Sequence, residues 1–176
     1  MATDDFHCRV ECFYSGRCGL KKVLIVCTGN SCRSPMAEGL LKASLPEWMK
    51  DEIDVSSAGT SAWDGLGASD YAVSVLAEEG IDISEHRSRP ITKELIEESD
   101  LIVVMARKHR DRIEELVPEA KDKILVIGEL DTGRDDPDIA DPIGGDENDY
   151  RKTRDELKTL IPSLISYIAS FFHMDK

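Results

Sequence analysis

Cys27 and Arg33 stand six positions apart in the run Cys27-Thr28-Gly29-Asn30-Ser31-Cys32-Arg33, and Ser34 follows. A cysteine acts as a nucleophile through its thiolate, and an arginine fork holds the oxygens of a tetrahedral anion in a bidentate way. The backbone N–H groups between them can close around such an anion. A glycine in the run and the positive end of a following helix would help. The same amides and the guanidinium favour the thiolate over the thiol. The chemistry this arrangement suggests is transfer of a phosphoryl group to sulfur, followed by hydrolysis. Against it stands the plain alternative of a buried, inert thiol at a strand end, which is what most free cysteines are.

That chemistry requires a strand to end at Cys27 and a helix to begin near Arg33. Residues 22–26 (Lys-Val-Leu-Ile-Val) form an uninterrupted, β-branched run, as a strand buried on both faces should. Residues 35–45 then carry Met36, Leu40, Leu41 and Leu45 at helical spacing, with Pro35 near the start and Pro46 at the stop. Further along, strands are predicted over 53–58, 101–105 and 124–127. Helices are predicted over 68–79 and 93–99, and around Ile113, Leu116 and Val117. This alternation implies an α/β fold, a three-layer sandwich with a four-stranded parallel sheet covered on both faces. Ligands of such sheets sit beyond the C-terminal strand edge, where Cys27 falls. Residues 128–149 are rich in Asp, Gly and Pro and read as a long surface loop of the functional kind. A last helix runs over 149–172, its apolar stripe explained by core packing and its course kinked or restarted at Pro162.

The chain has 176 residues, 41% of them hydrophobic, which suits one globular domain with a sizeable core. Its net charge of −13 argues against nucleic acid as a partner. It also requires Arg33 and the loop amides to attract an anionic substrate locally. No apolar stretch is long enough to span a bilayer, and no leader pattern opens the sequence, so a soluble, cytoplasmic protein is expected. The odd count of five cysteines speaks against a secreted disulfide framework. Residues 1–21 are read as an N-terminal extension and 22–176 as the domain. His7, Cys8, Cys12 and Cys18 in the extension lack the paired spacing of zinc modules and are read as part of a flexible tail, with no metal. The chemistry at Cys27 calls for no cofactor.

With Gly29, Asn30, Ser34 and the strand-to-helix context added to the Cys-x5-Arg spacing, the chain resembles the low-molecular-weight protein tyrosine phosphatase family. The resemblance runs from about Lys22 to the C-terminus and includes Ser56-Ser57-Ala58-Gly59-Thr60, the stretch 80–90 and Asp141-Pro142. It implies a cysteinyl-phosphate mechanism with Cys27 as nucleophile. Arg33 would bind phosphate with the loop Thr28, Gly29, Asn30, Ser31 and Cys32. Ser34 would support the thiolate, and Asn30 the shape of the loop. A proton donor is also needed. None of His7, His86, His109 and His173 is tied to the loop by motif, so a carboxylate of the acidic loop is expected. Among Asp131, Asp135, Asp136, Asp138, Asp141 and Asp146, the resemblance assigns the role to Asp141, with Asp138 second. Residues 86–89 are read as structural support.

The resemblance also bears on the substrate. Tyrosine-directed members usually carry a bulky aliphatic at position 31, whereas the protein arginine phosphatase branch carries threonine. Ser31 is closer to threonine, although Ile143 stands where an aromatic is expected. Phosphorylated proteins, with phosphoarginine the main expectation and phosphotyrosine the alternative, are thus the implied partners. A thiol-linked arsenate reductase on the same fold is a further alternative. That redox chemistry needs downstream cysteines to relay a disulfide, and none follows Cys32. Cys32 itself is read either as a small loop residue or as a reversible disulfide partner that shields Cys27 from overoxidation.

Overall fold

A computed structural model describes residues 19–174. The cysteine cluster of the N-terminal extension lies outside the described residues. Four strands, β1 (Lys21–Cys27), β2 (Ile53–Gly59), β3 (Leu101–Val104) and β4 (Ile124–Val126), form one parallel sheet in the order β2-β1-β3-β4. The helices are α1 (Arg33–Ser44), α2 (Glu47–Lys50), α3 (Asp70–Ala77), α4 (Lys93–Glu98), α5 (Arg107–Leu116) and α6 (Glu147–Phe171). Two short 3-10 turns, Pro118–Lys123 and Ile127–Leu130, flank β4. The α/β sandwich expected from the alternation of elements is the architecture found.

Because side chains alternate along a strand, one apolar run feeds two cores. Val23 and Ile25 of β1 and Leu101 and Val103 of β3 pack with α1, α3 and α6. Leu24 and Val26 with Ile102 and Val104 pack on the other face, against Ile96 of α4 and Ile113 of α5. The central strands are thus dry on both sides, which is why they read as unbroken Val/Ile/Leu runs rather than alternating ones. β1 lies between β2 and β3, so the loop that leaves Cys27 is flanked by the chain leaving both neighbours.

The long connection is less of a surface loop than its composition suggests. Its first residues form the turn Ile127–Leu130, and Gly128 packs so closely on the Pro137 backbone that a Cβ would collide with the carbonyl. Ile139 is buried, and its N–H donates to the Met105 carbonyl at 2.8 Å. One apolar anchor therefore pins the acidic segment against the end of β3.

For the final helix, the restart at Pro162 is the expectation that is not met. The helix begins at Glu147 under a reciprocal Asp146/Asp149 capping box and runs through Pro162 without a restart. Leu157, Leu160, Ile161, Leu164 and Ile168 are all buried along one face, and that packing outweighs the one backbone bond the proline removes. Pro162 itself is exposed. Replacing it by alanine restores an amide at an exposed helix interior position. A gain of about 3 kcal/mol is expected from helix preference, less up to ~1 kcal/mol returned through the freer unfolded chain. Pro162→Ala should thus raise stability by about 2 kcal/mol in urea unfolding. An unchanged or lower midpoint would contradict this account of the helix.

Candidate active site

Between the last residue of β1 and the first of α1, the chain turns in five residues, Thr28 to Cys32. The turn is possible because Asn30 adopts a left-handed conformation, with φ of 53°. Asparagine tolerates this region better than most residues, and here its buried side chain is fully used. Nδ2 donates to Ser34 Oγ and to Ser57 Oγ, each at 2.9 Å, and Oδ1 accepts the Arg89 N–H at 2.9 Å. The Asn30 carbonyl meets His86 Nε2 at 2.8 Å. Behind it, Ser57 donates to Glu38 Oε2 at 2.6 Å. The motif 56–60 is explained in the same way. The Gly59 N–H donates to the Arg89 carbonyl, and a Cβ on Gly59 would run into the Thr28 carbonyl and the Asn30 amide.

The loop presents donors to the Cys27 sulfur. The Asn30 N–H points at Sγ from 3.3 Å, and Ser34 Oγ lies 3.0 Å away. Since Asn30 Nδ2 already donates to Ser34 Oγ, the Ser34 hydroxyl proton is left to donate to sulfur, which stabilises a thiolate. Arg33 opens α1, and no side chain caps that helix end. Its guanidinium is buried: Nη1 donates to the Ile139 carbonyl at 3.1 Å and Nη2 to Thr28 Oγ1 at 3.3 Å. Nη2 also pairs with Asp141 Oδ2. Arg33 Nε is buried without a partner among the described residues.

Cys27, Ser31, Arg33 and Asp141 line one cleft of about 330 Å³, rimmed by the exposed apolar side chains of Trp63, Leu66 and Ile143. Asp138 is elsewhere. Its carboxylate accepts the Arg107 N–H at 2.8 Å and the guanidinium at 3.2 Å. Burial pushes that carboxyl up, but the Arg107 bonds more than offset it and hold it below the usual range. Among the other loop carboxylates, Asp136 pairs with Arg107, Asp146 caps α6 and Asp131 accepts the Gly133 N–H. Of the acidic loop, only Asp141 lines this cleft.

Two histidines meet the loop although no motif ties them to it. His86 holds the Asn30 carbonyl, in keeping with the supporting role read for 86–89, and His109 Nε2 lies 2.9 Å from Thr28 Oγ1. They stand 56 and 81 positions from their partners, so only the sheet order brings them there. The final helix likewise does more than fill the core. Tyr150, in its first turn, meets Cys32 Sγ at 3.2 Å. Burial, then the bond to Cys32, pushes its phenol up to about 12. Cys27 and Cys32 are both free thiols. Ser31 Oγ lies 3.5 Å from Cys32 Sγ on the cleft wall.

A thiol with an amide aimed at its sulfur, a buried guanidinium and one carboxylate in the same cleft are the parts that acid-assisted displacement at phosphorus calls for. Residues 22–171 match the family described as low molecular weight phosphotyrosine protein phosphatase. The chain is 46% identical over 144 residues to a protein-arginine-phosphatase of Geobacillus stearothermophilus, covering 81% of this chain and 93% of that one. It is 38% identical over 133 residues to the low molecular weight protein-tyrosine-phosphatase Wzb of Escherichia coli K12, covering 76% and 80%. The solved structure of the YwlE arginine phosphatase from Geobacillus stearothermophilus superposes with a TM-score of 0.77 at 42% identity, covering 89% of this chain and 98% of that one.

The Asn30 network separates two effects that mutation can resolve. Asn30→Ala removes the buried bonds and leaves a Cβ residue at positive φ. Asn30→Gly removes the same bonds but relieves the backbone. Asn30→Ala should lower stability by about 3–4 kcal/mol, and Asn30→Gly by about 1 kcal/mol less, measured in urea. Equal losses would remove the backbone part of the argument, and negligible losses would remove the hub.

Proposed function

The chain belongs to the low-molecular-weight phosphotyrosine protein phosphatase family, and within it we propose a protein arginine phosphatase working through Cys27, Arg33 and Asp141. That it is a cysteine-dependent phosphatase of phosphorylated proteins goes with the family. The residue roles and the preference for phosphoarginine are our reading. The observation that carries it is the buried Arg33 guanidinium, with Nε unpartnered, in a cleft that Cys27 also lines. A buried charged donor without an acceptor is costly, and an equatorial phosphate oxygen is the acceptor that fits it.

In the first step the Cys27 thiolate attacks phosphorus in line. The S–P bond forms as the P–N bond to the guanidine breaks, and protonated Asp141 passes its proton to the leaving nitrogen. The phosphate takes over the Arg33 Nη2 contact that Asp141 otherwise holds, which frees the carboxyl to face the leaving group. In the second step the Asp141 carboxylate takes a proton from a water molecule while the water oxygen attacks phosphorus. The S–P bond breaks, inorganic phosphate leaves and the thiolate returns. Loop amides and Arg33 stabilise the equatorial charge in both steps.

Ser31 supports phosphoarginine. Its small hydroxyl on the cleft wall leaves room for a branched planar cation and offers it a hydrogen-bonding neighbour. Phosphotyrosine remains the second reading, favoured by the exposed Trp63 and Leu66, which can flank a phenyl ring as well. We place the protein in the cytoplasm. No described helix is long and apolar enough to cross a membrane, and two free thiols in one loop suit a reducing compartment.

Two measurements test the roles. Asp141→Asn should lower kcat at least about a hundredfold on an arylphosphate, while Asp138→Asn stays near wild type. The reverse pattern would reassign the acid. Wild type should have the higher kcat/KM on phosphoarginine peptides than on matched phosphotyrosine peptides, and Ser31→Ile should shift the ratio toward phosphotyrosine. Because added methylenes change discrimination by only ~1–3 kcal/mol, a shift of about tenfold to a hundredfold is expected. A wild type that prefers phosphotyrosine, or a ratio that Ser31→Ile leaves unmoved, would favour the tyrosine reading.

A further inference from the structure

We infer that His109 is a positioning residue for the phosphate cradle: its Nε2–H donates to Thr28 Oγ1 and thereby turns the Thr28 hydroxyl proton toward the cleft. The inference rests on the cradle reading of Cys27 and Arg33 given above.

His109 sits in the first turn of α5, where its N–H donates to the Ala106 carbonyl, and its side chain is buried. β3 leads into α5 beside β1, so the imidazole is carried to the residue that follows Cys27. Thr28 Oγ1 then has two neighbours: Arg33 Nη2, which can only donate, at 3.3 Å, and His109 Nε2 at 2.9 Å. His109 Nδ1 is buried without a partner among the described residues.

Those contacts allow two arrangements. If Thr28 donates to Nε2, the imidazole proton must sit on Nδ1, where it is a buried donor without an acceptor and carries the full cost of desolvation. If Nε2–H donates instead, only a lone pair on Nδ1 goes unused, the more readily tolerated of the two defects. A hydroxyl oxygen has two acceptor sites and one proton. With Arg33 and His109 filling both sites, the Thr28 proton has to point away from them, and Thr28 lines the cleft. Thr28 becomes a further phosphate donor, and its oxygen braces Arg33 in place. Burial first, and then the neighbouring Arg33, lower the imidazole to about 4. Lys108 acts in the same direction and Asp138 opposes it. A neutral ring can brace a guanidinium without repelling it.

Nitrogen NMR of the histidine-labelled full chain reads the tautomer directly on wild type, with no variant to fold. The Nε2–H form is expected for His109 at neutral pH, and the Nδ1–H form would overturn the inference. A double-mutant cycle adds the functional arm. His109→Leu should lower kcat/KM, and weaken inorganic phosphate binding, by about tenfold, the worth of one charge-assisted bond. His109→Gln, which can still donate to Thr28, should recover most of it. In a Thr28→Val background, His109→Leu should change either quantity less than about twofold. The same tenfold loss there would show that His109 acts otherwise than through Thr28. A protein that binds phosphate with this coupling yet hydrolyses neither peptide fails the proposed function alone. One that hydrolyses without the coupling fails only this inference.

Discussion

The site depends on one buried amide. Asn30 spans the loop, the first turn of α1, the end of β2 and the segment around Arg89, and each of its side-chain hydrogen-bonding atoms has a protein partner. Backbone at positive φ is unfavourable for a residue with a Cβ, and it persists only where the surroundings over-determine it. Here they do, and the result is an amide aimed at the Cys27 sulfur together with a serine left free to donate to it. The network is all-or-nothing in character. A half-satisfied polar cluster under the loop would be worse than an apolar one, so its members stand or fall together.

Arg33 imposes the second constraint. A guanidinium this deeply buried needs acceptors, and they come from three places: the Thr28 hydroxyl, the Ile139 carbonyl and Asp141. Two of the three belong to the acidic connection. That explains why a stretch rich in Asp, Gly and Pro is nonetheless anchored, by Ile139 in the core and by the close approach of Gly128 to Pro137. On a chain with a net charge of −13, this shielded cation in the cleft is the local attraction that the proposed phosphate chemistry draws on.

The two-faced sheet sets the distances. β1 is central, so its C-terminal end is met from one side by the 57–61 and 86–91 segments and from the other by α5 and the acidic connection. Tyr150 reaches Cys32 because α6 packs along α1 on the same face. The loop is thus held from several distant segments at once, around residues 57–61, Ser69, residues 86–89, His109 and Tyr150.

Much of this was legible from local pattern. Alternation of β-branched runs with 3.6-period segments determined the sheet and its helices, because dry central strands and amphipathic helices leave unmistakable periodicities. Cys27, Arg33 and Ser34 stood out because strand end, turn and helix start are consecutive in the chain, so their geometry is local. Asp141 was reached through a resemblance, and Asp138, three residues earlier in the same acidic stretch, differs from it only in the tertiary structure, where Arg107 holds one and Arg33 the other. His109 and Tyr150 gave no sign of a contact with the loop, and His86 stood out only as part of the 86–89 segment read as support: they meet the loop across 81, 118 and 56 positions. Pro162 does not restart the helix, because a local rule about one hydrogen bond is outweighed by a whole buried helix face. Sequence alone determines what is encoded within a few residues along the chain. Which distant polar groups share a hydrogen bond is decided by the tertiary structure, because strand order and helix packing, not spacing, bring them within 3 Å.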